Sequence, residues 1–117
     1  AKRTPVGSFG GALSSVRVDD LLAELFKDYA RSAKHDLKEI SDSVIGCANQ
    51  AGEDNRNLAR MGLILANYPH EVTGTTINRL CGSSLDAVMD AHARIQAGLG
   101  DCYIAGGAES MTRAPYV

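Results

Sequence analysis

Tryptophan is absent from the 117 residues, and the aromatic complement is only four Tyr and two Phe. With a formal net charge of −2, the chain lacks both the stacking rings and the basic excess that nucleic-acid binding uses. The three cysteines, Cys47, Cys81 and Cys102, form no C-x-x-C pair, and an odd number cannot all be joined within one chain. Reduced thiols in a cytoplasmic setting are therefore expected, and no metal site. No apolar run approaches the roughly 20 residues of a membrane span, so no membrane partner is expected. The opening Ala1-Lys2-Arg3 carries neither a Met nor a signal-peptide pattern, and an upstream segment is expected.

What is present is ordinary for a globular chain: 44% hydrophobic and 22% charged residues. The length suits one domain or part of one, with a modest core. Residues 1 to 17, with Pro5, Gly7, Gly10, Gly11 and three serines, read as loop. A helix is predicted from Val18 to Lys34, with Leu21, Leu22, Leu25, Phe26 and Tyr29 at helical spacing. A strand from Ser43 to Ala48 leads into the polar loop Asn49 to Asn57. Asn57 then caps a second helix, Leu58 to Asn67, whose Met and Leu residues are assigned to the core. Thr73 to Asn78 is rich in β-branched residues and reads as a strand. A third helix runs from Gly82 to Ala97, and a last strand from Cys102 to Ala105 closes into Gly106-Gly107. Strands alternating with helices imply an α/β fold built of βαβ units around a mixed, mostly parallel sheet.

The third helix is apolar on most sides. Leu85, Val88, Met89, His92 and Ile95 cover one side, and Ala87, Ala91 and Ala93 extend it. Only Asp86, Asp90 and Arg94 form a narrow polar stripe. Such a pattern predicts cover on most sides, hence another layer of structure above this helix.

Cys81 stands at the junction of strand and helix, at the carboxyl end of the strand, where open α/β sheets place their sites. A helix amino terminus presents unpaired N–H groups that favour thiolate. Gly82, Ser83 and Ser84 are small enough for an acyl group to approach the backbone, and the Cys81 amide is a candidate oxyanion donor. The competing reading is a buried cysteine acting as a small hydrophobe. No histidine is placed to serve as its base. His35 and His70 belong to the surface at the amino edge, and His92 lies 11 residues beyond Cys81, about 16 Å along the helix. His92 is assigned to core or interface. Gly106-Gly107-Ala108-Glu109-Ser110 lacks the phosphate-loop patterns and is predicted as a tight turn. The neighbouring carboxylates Asp19/Asp20 and Glu53/Asp54 are predicted as solvated, and Cys47 and Cys102 as structural residues within strands.

Asn78-Arg79-Leu80-Cys81-Gly82-Ser83-Ser84-Leu85 resembles the acyl-enzyme segment of thiolases, Asn-x-x-Cys followed by small residues and an apolar helix. Ala105-Gly106-Gly107-Ala108-Glu109-Ser110-Met111 resembles the Gly-Gly-x-Glu-x-Met segment that follows it in that family. Arg3-Thr4-Pro5-x-Gly7 and Ala59-Arg60 fit in order and spacing, so the resemblance spans essentially the whole chain. Gly46 to Asn57, with Arg113-Ala114-Pro115, looks most like the 3-oxoadipyl-CoA (beta-ketoadipyl-CoA) branch. Ser84 departs from the Gly that many thiolases carry there and blurs that assignment.

The resemblance implies part of the N-terminal half of a layered αβαβα fold, with the first strand before Arg3 and the remainder after Val117. It implies acyl transfer between 3-ketoacyl-CoA and CoA, with Cys81 as nucleophile and its N–H as oxyanion donor. Leu80 and Gly82 are then substrate-binding neighbours. Coenzyme A is a substrate, no other cofactor is implied, and the partner is a second copy of the chain in a homodimer or homotetramer. The family's Gly-His-Pro, Cys-x-Gly and Asn-Glu-Ala-Phe segments do not occur here, so this stretch alone is expected to be inactive. A β-ketoacyl synthase, or a non-catalytic thiolase-like lipid-binding or scaffolding protein, is the alternative.

Overall fold

The computed structural model describes residues 1–50, 52–53 and 56–115. The expected Glu53/Asp54 pair therefore falls partly outside the described residues. Helix α1 spans Val18–Ser32, with Leu22, Ala23 and Phe26 turned into the core and Asp19 and Asp20 in its first turn. It stops short of Lys34. The Ser32 hydroxyl donates back to the Asp28 and Tyr29 carbonyls, and Ala33 leaves the helix extended. One short 3-10 turn, Leu37–Glu39, follows; the Asp36 side chain caps it by accepting from the Lys38 amide at 3.0 Å.

Strand β1, Asp42–Gly46, is buried along its whole length. Asn57 opens α2, Leu58–Leu65, as predicted, its side chain accepting from the Arg60 amide at 3.2 Å. Leu58 and Leu63 are buried, but Leu65 is exposed and Met61 only half-buried, so the assignment of every Met and Leu here to the core is too generous. Strand β2 is Thr73–Ile77, helix α3 Ser83–Gln96 and strand β3 Tyr103–Gly107. Cys47 and Cys102 lie one residue outside β1 and β3 rather than within them.

The sheet runs β2-β1-β3 with both pairings parallel, so the described part is wholly parallel rather than mixed. Adjacent residues of β1 point to opposite faces. Ile45 joins Leu22, Phe26, Leu58 and Leu63 under α1 and α2, while Val44 meets Ala87 and Ala91 of α3. The result is three layers, with two helices on one face and one on the other.

Within the described residues helix α3 is covered on one side alone. Only Ser83, Ala87 and Ala91 are buried. The apolar residues expected to be covered face outward, Leu85 being 67% exposed and Met89 57%, and His92 is exposed, which excludes the core and leaves the interface of its two assignments. The polar stripe is half-buried instead. Arg94 reaches Asp42 of β1 at 2.7 Å, and Asp42 also accepts from the Thr73 and Thr75 hydroxyls at 2.9 and 2.7 Å. Arg94 Nε lies 2.7 Å from Asp90 Oδ2, an ion pair outside hydrogen-bond alignment. Small alanines permit close packing on the sheet, and the charged pair locks it.

Among the described residues no helix is long and apolar enough to cross a membrane. Asp42 is 5% exposed, and its removal takes from Arg94 its one hydrogen-bonded carboxylate and from the Thr75 hydroxyl its acceptor. Asp42→Ala is therefore expected to cost about 3 kcal/mol of stability, read as a lowered urea midpoint, with Asp42→Asn costing less.

Candidate active site

The carboxyl ends of the three strands lie side by side, with Gly46 the register partner of both Ile77 and Gly107. The chain steps from β1 outward to β2, then passes back across β1 to β3. A reversal of this kind opens a crevice beyond the carboxyl edge. Asn78 to Gly82 cross it from β2 to α3, and Cys81 sits in that turn as a free, exposed thiol. The small buried hydrophobe is thereby excluded.

The turn is strained and held. Leu80 adopts φ 48°, a left-handed conformation that costs a branched side chain about 1–2 kcal/mol. Its amide donates to Asn78 Oδ1 at 2.9 Å. Its carbonyl accepts from the Ser83 hydroxyl at 2.6 Å, and that hydroxyl accepts from the Arg79 amide at 2.8 Å. Leu80 points outward, 71% exposed, and Gly82 is half-buried beside Cys81.

The seat beneath the turn is made by two glycines. A Cβ on Gly46 would overlap the backbone of Ser83 and Ser84, so the amino end of α3 rests directly on the end of β1. A Cβ on Gly107 would overlap the Ser84 hydroxyl and lie 2.9 Å from the Gly46 carbonyl oxygen. Gly106-Gly107 is thus the end of β3 and not a tight turn. The glycines are there because a helix end needs the space.

Two further side chains converge here. Asn78 Nδ2 donates to the Ala48 carbonyl at 2.9 Å, and Glu109 accepts from the Ala48 and Asn49 amides at 2.7 and 3.1 Å. The Cys47 thiol lies 3.8 Å from Glu109. Neither Asn78 nor Glu109 is assigned a role from the sequence, although each is a named position of the segments that carry the resemblance and lies just beyond the carboxyl end of a strand.

The histidines stay away from Cys81. His70 precedes β2, whose five residues span about 17 Å, and its side chain is 89% exposed. His92 lies outward on α3. His35 is half-buried rather than on the surface, bonded to the Tyr29 hydroxyl at 2.7 Å and the Asp36 carbonyl at 2.9 Å. A cleft of about 410 Å³ opens between residues 4–9, α1 and residues 107–112, and Cys81 does not line it. Among the described residues no three His, Cys, Asp or Glu side chains gather to hold a metal.

Asp19 is not solvated. Its side chain is fully buried against Arg17, which donates to both carboxylate oxygens at 2.9 and 2.6 Å and also to the Glu53 carbonyl. Arg113 grips the Glu53 carboxylate at 2.6 and 2.7 Å and holds it below the usual carboxylate range. These pairs fasten the loop after β1 to the start of α1 and to the segment after β3.

The described residues thus form a wholly parallel three-layer α/β unit with an exposed cysteine at the strand-to-helix turn. The family model described as "Thiolase, N-terminal domain" matches residues 1–117, and the chain belongs to the thiolase family. It is 60% identical over 116 residues to the 3-oxoadipyl-CoA/3-oxo-5,6-dehydrosuberyl-CoA thiolase of Escherichia coli K12, which covers 98% of this chain and 29% of that protein. It is 53% identical over 118 residues to a beta-ketoadipyl-CoA thiolase of Pseudomonas aeruginosa, covering 100% of this chain and 29% of the relative. The solved acetyl-CoA acetyltransferase of Bacillus anthracis matches with a TM-score of 0.89 at 33% identity, over 97% of this chain and 29% of that one. The chain thus spans under a third of the length of the relatives it matches.

Two outcomes follow from the geometry. Gly107→Ala should cost on the order of 1–3 kcal/mol, and adding Ser84→Gly should recover more than half, because the two nearest atoms belong to the Ser84 side chain; urea midpoints of the three variants check this. The Arg17 hydrogen bonds hold the Asp19 carboxyl below its usual range. Its stabilisation is therefore present above about pH 4 and lost as pH falls through the folded-state value. Asp19→Asn should flatten the loss of stability between about pH 5 and pH 3.

Proposed function

We propose that this chain carries the nucleophile of a thiolase, whose remaining acid and base groups come from sequence outside it. The observation that carries the reading is the exposed Cys81 on a held turn at the carboxyl edge, in a chain matched along its whole length by the thiolase N-terminal domain. The Cys81 thiolate attacks the keto carbon of a 3-ketoacyl-CoA, and the Cys81 amide donates to the developing oxyanion. Sulfur–carbon bond formation is followed by cleavage of the bond between the keto carbon and its α-carbon. The electron pair leaves with acetyl-CoA, whose α-carbon takes up a proton. The thiol of a second CoA then loses its proton, attacks the acyl-Cys81 thioester and returns the cysteine. In the reverse sense two acyl-CoAs condense. Leu80 and Gly82 flank the acyl group.

The similarity to relatives named for 3-oxoadipyl-CoA and beta-ketoadipyl-CoA supports a 3-keto dicarboxylyl-CoA as substrate. An odd number of cysteines, with no C-x-x-C pair among them, supports a reducing, cytoplasmic setting. The outer edge of β2, unpaired among the described strands, suits a second copy across a two-fold axis. With no histidine near Cys81, residues 1–117 alone should show no turnover.

The test is an acid-quenched peptide mass spectrum of the longest form of the protein that cells make. Acetoacetyl-CoA should leave an acetyl group, and 3-oxoadipyl-CoA a succinyl group, on Cys81; free CoA should remove either, and Cys81→Ala should carry neither. An unmodified Cys81, in a protein that holds the Gly-His-Pro and Cys-x-Gly segments, would overturn the enzyme in favour of a non-catalytic binding protein.

A further inference from the structure

Glu109 is a carboxylate beyond the end of β3 that makes no ion pair with Lys or Arg among the described residues. It accepts instead from two consecutive main-chain amides, Ala48 and Asn49, in the loop that leaves β1. Ala48 is held on its other side too, because its carbonyl accepts from Asn78 Nδ2 at 2.9 Å. The same Asn78 side chain accepts from the Leu80 amide at 2.9 Å, one residue before Cys81. A continuous path thus runs from the end of β3, through the loop after β1, to the strained residue that precedes Cys81. Its first link is charge-assisted and about twice as strong as a neutral one. Its second requires a donor and an acceptor on one side chain, which an amide has and a carboxylate lacks.

We infer that Glu109 and Asn78 form a clamp that positions Cys81, with Glu109 acting only through Ala48 and Asn78 and never on substrate. The inference rests on Cys81 being the reactive thiol. Loss of either member frees Leu80 to leave its left-handed conformation and lets the turn that carries Cys81 shift. The side chain keeps its place in the sequence but loses its aim.

The experiment uses the longest natural form of the protein and the variants Glu109→Gln, Glu109→Asp, Asn78→Asp and the Glu109→Gln/Asn78→Asp double. The first readout is the rate of Cys81 alkylation by iodoacetamide, followed by peptide mass spectrometry, with Cys102 at the far end of the sheet as internal control. Glu109→Gln and Asn78→Asp should each slow Cys81 by about fivefold or more, with Cys102 unchanged. The double should be no worse than about twofold below the slower single, since both act along one path. Glu109→Asp, which keeps the charge on a shorter arm, should fall between wild type and Glu109→Gln. In turnover, kcat should drop with KM for the acyl-CoA within about twofold. An unchanged Cys81 rate, a multiplicative double, or a parallel rise in Cys102 labelling would each overturn the clamp. Alkylation needs no acyl-CoA, so slowing in a protein that forms no acyl-Cys81 upholds the clamp while ending the thiolase reading.

Discussion

The amino end of α3 lies directly on the carboxyl end of β1, and Gly46 is what allows it to. With any side chain there, the helix must lift from the sheet, and the turn before it moves as well. Everything at the carboxyl edge is organised around that approach. Gly107 extends the seat under Ser84, the Ser83 hydroxyl ties the helix back to Leu80 and Arg79, and Cys81 lies exposed in the turn between them. The parallel register of three short strands brings the contributing residues level, so that residues distant in sequence meet within one turn of each other.

At the opposite end of the sheet a different contact does the fastening. Asp42 opens β1 and collects Arg94 and the hydroxyls of Thr73 and Thr75, which joins β1, β2 and α3 through one carboxylate. The helix is thus fixed twice, by shape at its amino end and by charge near its carboxyl end. Between the two, only Ala87 and Ala91 are buried, side chains that hold the helix close without steering it. The two ends therefore carry the orientation.

The alternation of elements, the Asn57 cap and the position of Cys81 were all legible in the sequence, because each is a local signal. Helical spacing marks α1, β-branched residues mark β2, and a polar side chain before Leu58 marks a cap. What was not legible depends on which residues meet in space. The stripe Asp86, Asp90 and Arg94 reads only as a break in an apolar helix until Asp42, some fifty residues earlier in the chain, meets Arg94. Asp19 reads as an ordinary first-turn carboxylate until Arg17 closes over it. Gly106-Gly107 reads as a turn until Ser84 fills the space above it. Glu109 carries no local mark of its role, since its partners are main-chain amides that every residue offers. Periodicity finds elements; it does not find the surfaces where they touch.

The outward face of α3 has a consequence for the chain as it is made. Leu85, Val88, Met89 and Ile95 form a ridge of oily side chains on a helix that can fold as soon as β1, β2 and β3 have left the ribosome. Synthesis proceeds at about 5–20 residues per second, and collisions between neighbouring nascent chains are far faster. For as long as the ridge is bare, it offers a sticky surface to any other copy on the same polysome and a handle to holding chaperones.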